Sequence, residues 1–334
     1  MRPGWFRGPT LLAGALLAAV AGCDSGNDRE PAPTSSPAGL AWRALAAAPS
    51  ARTEVTAAVA GDRIYVVGGY RRDGGTVATV EVYDPAADRW ERGPDLPVAV
   101  NHAMGTTAGG AVHVFGGYLA GNRPSTAAFR FDKGGWRRLA DLPEGRAAGT
   151  AVALGGTVYV AGGITTGGEL AATMLVYDVA RDRWSTAPGP PTPREHLGGA
   201  GFDKRLYTVG GRTRAAGNLA AFETFDPSSG RWSRLPDLPT ERGGLAAAAT
   251  CSGQIIAVGG EAESTFAEAE SYDVRARSWR SLPPMPTPRH GLGAVVAGAT
   301  LYTLAGGPRP GLHVADTLEV LDVSSLGACV SPSG

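Results

Sequence analysis

Apolar residues along this chain fall in short runs separated by Gly-, Pro- and polar-rich links. The runs Arg63 to Val67 (RIYVV) and Thr157 to Ala161 (TVYVA) show the type. They are too short for stable helices, have strand composition, and stop at a Gly-Gly pair. Gly61-Asp62, Gly109-Gly110 and Gly155-Gly156 lie between a first and a second run, where they suit tight hairpins. The pattern predicts an all-β chain of many short antiparallel strands. The 49 Gly and 25 Pro agree, because Gly this frequent serves turns better than long helices.

The runs repeat in register. Gly-Gly recurs at Gly68-Gly69, Gly116-Gly117, Gly162-Gly163, Gly210-Gly211, Gly259-Gly260 and Gly306-Gly307. An aromatic-Asp pair follows at Tyr83-Asp84, Phe131-Asp132, Tyr177-Asp178, Phe225-Asp226 and Tyr272-Asp273, with Leu321-Asp322 in the last place. Trp90, Trp136, Trp184, Trp232 and Trp279 come next, and Pro97, Pro143, Pro191, Pro239 and Pro286 after them. These marks resemble the kelch repeat, a diglycine followed by a spaced Tyr and Trp. The resemblance covers roughly residues 40–325. It implies a six-bladed β-propeller, each repeat a four-stranded antiparallel blade around a central channel.

The ends predict how the ring closes. No Trp follows Asp322, whereas Trp42 and Pro49 have the Trp-to-Pro spacing with no diglycine before them. Residues 40–46 are therefore expected to complete the last blade from the N-terminal side, which protects edges that an open array would expose. Tyr65, Tyr159, Tyr207 and Tyr302 recur in second strands and read as core, as does the Trp series between blades.

Ahead of the repeats, Arg2 and Arg7 precede an apolar stretch from Leu11 to Val20 and then Ala21-Gly22-Cys23. This is the pattern of an export signal, too short to span a membrane. Its V-A-G-C ending resembles the lipobox of bacterial lipoproteins, which implies lipidation at Cys23. The expected organisation is a lipoprotein signal peptide over residues 1–22 and a flexible Pro- and Ser-rich tether over 23–39. The propeller then spans 40–326, with a C-terminal tail over 327–334. The protein is expected to be exported and lipid-anchored to the cell membrane, facing the periplasm or the exterior, with no other membrane contact.

Lys+Arg and Asp+Glu are equal at 31 each, which argues against a nucleic-acid partner. The charges are expected to segregate nonetheless. Alternating strand direction puts the fourth-to-first and second-to-third links on one rim. There Arg52, Arg146, Arg194, Arg242 and Arg289 precede the inner strands, with Val100 in the second repeat; Arg212 belongs to a loop after a diglycine. Related propellers resemble this arrangement in binding partners at that rim. The five Arg, with Arg212, His102 and His290, are therefore the candidate ligand contacts, suited to a carboxylate or phosphate.

Chemistry is thinner. His102 and His196 occupy equivalent places, as does Glu54; Glu195 and His290 stand one step earlier. Glu195 and His196 are weak candidates for proton transfer. The five His show no metal-ligand spacing, so neither metal nor cofactor is expected, and His113 and His313 read as ordinary strand or loop residues. Cys251 and Cys329 are expected at strand ends on the opposite rim in neighbouring blades, a candidate disulfide in an exported chain. The leading functional expectation is a monomeric, membrane-anchored binding module for a protein, peptide or acidic carbohydrate. The alternative is a sugar-active enzyme, since some exported kelch propellers that this chain resembles are sialic-acid mutarotases. Copper chemistry of the galactose-oxidase-like kelch type is disfavoured, because no Tyr, Cys and His set stands out.

Overall fold

A computed structural model describes residues 40–329. The expected signal peptide, the tether with Cys23, and residues 330–334 lie outside them. Within the described residues the chain forms six four-stranded antiparallel sheets. Blade 1 runs outward through Thr56–Ala60, Arg63–Val67, Val80–Asp84 and Arg89–Arg92. The innermost strands of the next five are Met104–Ala108, Thr150–Leu154, Gly198–Phe202, Ala246–Ala249 and Gly293–Ala297. These first strands touch in a closed ring, blade 6 against blade 1 included.

Ring closure is made by the N-terminal segment. Trp42–Ala44 pairs antiparallel with Leu318–Asp322 as the fourth strand of blade 6, in the register Trp42 to Leu321. The six-bladed propeller expected from the repeats is therefore complete, and its last blade is built from both ends of the repeat region.

The second and third strands of the blades carry apolar side chains on both faces because each blade is covered on both sides, whereas outermost strands such as Arg89–Arg92 are polar apart from their Trp. In blade 1, Ile64 and Val66 pack toward blade 6 while Val67 packs toward blade 2. The six apolar clusters among the described residues each span one junction between neighbouring blades. The Trp series stitches these junctions. The indole N–H of Trp42, Trp90, Trp136, Trp184, Trp232 and Trp279 donates to a carbonyl of the preceding blade, on Pro283, Ala46, Pro94, Ala140, Pro188 and Pro236 respectively. A buried aromatic body with one directed donor both fills and registers the junction.

The diglycine ends the second strand with two left-handed residues. At Gly69 (φ +103) a Cβ would lie 2.5 Å from the Thr53 carbonyl oxygen, so only Gly fits. In blade 6 the two positions are Ala305 (φ 56) and Gly306 (φ 96), one residue earlier than the Gly306-Gly307 pair suggests. The Gly306 N–H donates to Arg52 O, as the Gly260 N–H does to Arg289 O, which fixes this register. Ala tolerates the left-handed place, and the sequence pair is displaced by a step.

On the opposite rim, Cys251 and Cys329 are joined as a disulfide with Cα atoms 4.7 Å apart. The bond lies just past the one-turn 3-10 helix Ser324–Leu326, whose Leu326 packs into the cluster between blades 5 and 6.

Candidate functional site

Just before each innermost strand the chain makes a left-handed step. The six equivalent residues are Glu54, His102, Ala148, His196, Gly244 and Gly291, with φ between 50 and 70°. They join in a ring of backbone hydrogen bonds around the channel. His102 N–H donates to Glu54 O (3.0 Å), Ala148 to His102 (3.1 Å), His196 to Ala148 (2.7 Å), Gly244 to His196 (3.0 Å) and Gly291 to Gly244 (2.9 Å). Val55 N–H closes the circle on Gly291 O at 3.3 Å. Three of the six places carry polar side chains, Glu54, His102 and His196, although a non-Gly residue is disfavoured there.

Those side chains meet over the channel. His102 Nε2 lies 2.9 Å from His196 Nε2 and 3.1 Å from Glu54 Oε2. His102 Nδ1 is 2.6 Å from Asn101 Oδ1. His196 Nδ1 stands 3.0 Å from Glu195 Oε2, off the ideal hydrogen-bond line. His290 Nδ1 is 3.2 Å from Glu54 Oε1 and 3.4 Å from Glu261 Oε2, and its Nε2 faces Arg309 O at 3.1 Å. The Arg212 guanidinium bridges Glu195 (3.3 Å) and Glu261 (2.7 Å) and reaches His196 Nε2 at 3.1 Å.

This cluster floors a cavity of about 620 Å³ at the channel mouth, walled by the second-to-third links. Tyr70 and Tyr118 set their rings edge-on to His102, with centroids 5.9 and 5.4 Å away. At the lip stands Leu312, the one large hydrophobic side chain exposed among the described residues.

The charges are strongly coupled. Burial would raise the Glu54 carboxyl, but His102, His290 and His196 outweigh it and hold the group well below the usual carboxylate range. Burial pushes His102 down to about 4 against the pull of Glu54. His290 goes the other way: burial lowers it, but Glu54 and Glu261 together raise it. Glu195 is resisted by burial yet lowered to about 2 by His196 and Arg212. Burial lifts Tyr118 to about 12.

The structure places the expected contacts unevenly. His102, His290, Arg212, Glu195 and His196 all line the mouth. Arg52, Arg146, Arg194, Arg242 and Arg289 do not, and this corrects the expectation that they face a ligand. All five are buried, at most 1% exposed, and point into their own blades. Each donates to the carbonyl of the first diglycine position, on Gly68, Gly162, Gly210, Gly259 and Ala305. Four of them pair with a buried carboxylate of the third strand: Arg52 with Glu81, Arg194 with Glu223, Arg242 with Glu270 and Arg289 with Glu319. Arg146 reaches Glu144 instead. A locally positive mouth is accordingly not formed. Its floor carries the carboxylates of Glu54, Glu195 and Glu261 against the guanidinium of Arg212 and the imidazoles.

Spacing along the sequence hid a possible ligand set, because its members come from three blades. Ligand atoms of Glu54, His102 and His196 all lie within 4.8 Å of one another. Tyr70, Tyr118 and Glu261 line the same mouth without any motif of their own in the sequence. The signal that reveals them is positional: in five of the six blades the residue after the structural diglycine faces the mouth, namely Tyr70, Tyr118, Ile164, Arg212 and Glu261, and in the sixth that place is Gly307. His113 is buried in blade 2 beside Phe115 and Tyr177, and His313 is exposed on a loop.

Comparison with known proteins agrees with this architecture. Residues 101–307 match the family model described as the KLHDC2/KLHL20/DRC7 Kelch-repeats domain, and residues 51–97 match the Kelch motif. Beta-scruin of Limulus polyphemus is 34% identical over 76 residues, 23% of this chain and 8% of that protein. Kelch-like protein 36 of Mus musculus is 43% identical over 60 residues, 18% of this chain and 10% of that protein. These matches span about a tenth or less of either relative. With the repeats, the closed six-bladed ring and a family match over more than half its length in hand, the chain belongs to the kelch-repeat family of β-propellers.

Proposed function

We propose that this chain is a membrane-tethered, extracytoplasmic binding module whose channel mouth receives a segment of a protein or peptide partner. The observation that carries the reading is the mouth itself, an open cavity with aromatic walls, a polar floor and an exposed Leu312 at its lip. A concave site with apolar walls and a few convergent polar groups is the usual form of a binding site. The floor chemistry favours a partner that brings hydrogen-bond donors or a positive group, such as a Lys or Arg side chain or a terminal amine. Three carboxylates face the opening, and Arg212 is already engaged by two of them. An acidic carbohydrate loses the support of the five buried Arg. Cys23 supplies the lipid anchor and the polar segment after it the tether, with the propeller acting as a monomer.

One arrangement favours the second reading, a sugar-active enzyme. Glu195 Oε2 and His196 Nδ1 stand 3.0 Å apart and both side chains open onto the cavity, the placement needed for proton transfer to a bound sugar. A single set of measurements separates the two. Purified full-length chain is titrated with basic, neutral and acidic peptide libraries, and assayed for anomeric exchange of acidic and neutral sugars. The binding reading expects capture of basic peptides that falls at least about tenfold in Tyr118→Ala and Glu261→Gln, since anchors at the centre of an interface carry most of its energy. Equal capture of acidic peptides, or sugar turnover abolished by His196→Gly, would overturn it. For the anchor, Cys23→Ser is expected to move the protein from the membrane to the soluble fraction.

A further inference from the structure

We infer that the floor of the mouth is a binding site for one divalent transition-metal ion, held by Glu54 Oε2, His102 Nε2 and His196 Nε2. The set matches the two-His, one-carboxylate ligation that suits zinc and its first-row neighbours.

The tautomers carry the argument. Asn101 Nδ2 donates to Thr76 Oγ1 at 2.8 Å, which turns Asn101 Oδ1 toward His102. That oxygen only accepts, so His102 Nδ1, 2.6 Å away, bears the proton and Nε2 presents a lone pair. An Arg212 nitrogen, which only donates, lies 3.1 Å from His196 Nε2, so that nitrogen presents the lone pair and Nδ1 bears the proton, 3.0 Å from Glu195 Oε2 though off the hydrogen-bond line. Two imidazole lone pairs therefore face each other at 2.9 Å, with a carboxylate oxygen 3.1 Å from one of them. Three acceptors converging on one point repel, and the donor that reaches them is a single Arg212 nitrogen at the edge of the set, on His196 Nε2. In a tetrahedral site with ordinary zinc bond lengths the ligand atoms are about 3.3 Å apart, so these two pairs need open by only a few tenths of an ångström, and the third pair already lies within 4.8 Å.

The surroundings are those of a supported site. Asn101 holds the far nitrogen of His102 by a hydrogen bond, Glu195 Oε2 stands 3.0 Å from the far nitrogen of His196, and His290 Nδ1 stands 3.2 Å from Glu54 Oε1, on the side away from Oε2. Gly291 gives the carboxylate its room: a Cβ there would lie 2.6 Å from the Glu54 carboxyl carbon. The ring brings one ligand from each of blades 1, 2 and 4, while Ala148, Gly244 and Gly291 leave the remaining directions clear. The open coordination position faces the cavity. Arg212 competes, since one of its nitrogens lies 3.1 Å from His196 Nε2. It is also held by Glu195 and Glu261, so giving up that contact leaves both carboxylate bonds intact. The assignment does not rest on the peptide-binding reading, but the two share Glu54, so an ion there would weaken the floor's attraction for a positive partner group.

The test uses purified full-length chain stripped with a chelator near neutral pH. It is titrated with Zn²⁺ by calorimetry and with Co²⁺ by visible absorption, with no peptide present. One ion per chain is expected, with Co²⁺ bands of a low-coordinate nitrogen and oxygen site. His102→Gly and His196→Gly should each weaken binding by at least about a hundredfold, and Asn101→Ala by about tenfold. Gly is the residue best suited to the left-handed ring positions, so these variants keep the backbone, and circular dichroism checks that they fold. His313→Ala should leave the stoichiometry unchanged. Failure to bind either ion at micromolar concentration, or undiminished binding in the His102→Gly, His196→Gly double variant, would overturn the assignment.

Discussion

Arg194 and Glu223 are buried together inside blade 4, their charged atoms 2.6 Å apart, and neither reaches the channel mouth. The carboxylate also accepts from Thr192 Oγ1 at 2.8 Å, and the same Ser or Thr contact recurs at Ser50, Thr240 and Thr287. The unit is therefore a hydrogen-bonded brace between the blade-to-blade link and the third strand. Blade 2 lacks every part of it: Val98 replaces the hydroxyl residue, Val100 the Arg and Phe129 the Glu.

Blade 2 thus supplies the design of the first experiment. Arg194→Val alone strands a buried carboxylate and is expected to cost about 3–5 kcal/mol. Arg194→Val with Glu223→Phe and Thr192→Val should recover most of that loss, since apolar residues can replace a complete buried pair. Urea unfolding of the set measures the coupling. Additive losses would show that the brace is not a unit.

The same brace shows what the sequence made legible. Blade number, strand order and closure by Trp42 followed from spacing, because each repeat forces the same local chemistry at the same place. The role of the Arg series did not, although its signal was present. Glu81, Glu223, Glu270 and Glu319 stand at a nearly fixed distance after Arg52, Arg194, Arg242 and Arg289; the second repeat lacks both partners, and the third keeps Arg146 with Leu175 in the carboxylate's place and Glu144 in the hydroxyl's. Rim position was read from strand direction, but a side chain at the rim can still turn inward when a buried partner waits for it. The cluster of Glu54, His102 and His196 was less legible. Repeats place like positions in a circle, and only closure of that circle shows which of the six side chains touch.

Closure itself is testable at Trp42. Its indole fills the junction between blades 5 and 6, and its N–H donates to Pro283 O at 2.7 Å, the one such link made by a residue from the far end of the chain. Trp42→Ala is expected to lower stability by at least about 2 kcal/mol, less than a fully buried Trp because the ring is partly exposed. Deuterium exchange should then rise first in Leu318–Asp322, which the N-terminal strand covers. Exchange unchanged in that strand would mean that closure does not depend on Trp42.

Two aspartates clamp other junctions and give a pH signature. Asp88 Oδ1 accepts from Tyr83 Oη and from the Ala46 N–H, and Asp182 Oδ1 accepts equivalently from Tyr177 and Ala140. The Ala46 N–H, followed by Tyr83, holds Asp88 below the usual carboxylate range. Asp182 is also lowered, by Tyr177 and Ala140 against the effect of burial. A carboxyl lowered by folding stabilises the native state above its unfolded pKa of about 4. That contribution is lost as pH falls through the folded value. Asp88→Asn and Asp182→Asn should therefore be less stable than wild type at neutral pH, with the gap closing in acid. Thermal unfolding across pH measures this, and a gap independent of pH would contradict it.

The disulfide between Cys251 and Cys329 ties the end of the described chain to blade 5, on the rim opposite the mouth. Cross-linking residues 78 apart removes loop entropy from the unfolded chain, worth up to about 4.5 kcal/mol in the chain-entropy model. Without the bond, the short helix is held by the apolar contact of Leu326 between blades 5 and 6 and by a few local hydrogen bonds, Ser324 N–H to Asp322 Oδ1 and Val323 N–H to Ala299 O among them. Reduction should lower the unfolding midpoint and release two alkylatable thiols, with Ser324–Leu326 losing amide protection before any blade does. Metal binding at the mouth should survive, because the ring of Glu54, His102 and His196 is held by bonds on the other rim. A midpoint unmoved when both thiols are shown to be free would mean that the blades alone hold the chain's end in place.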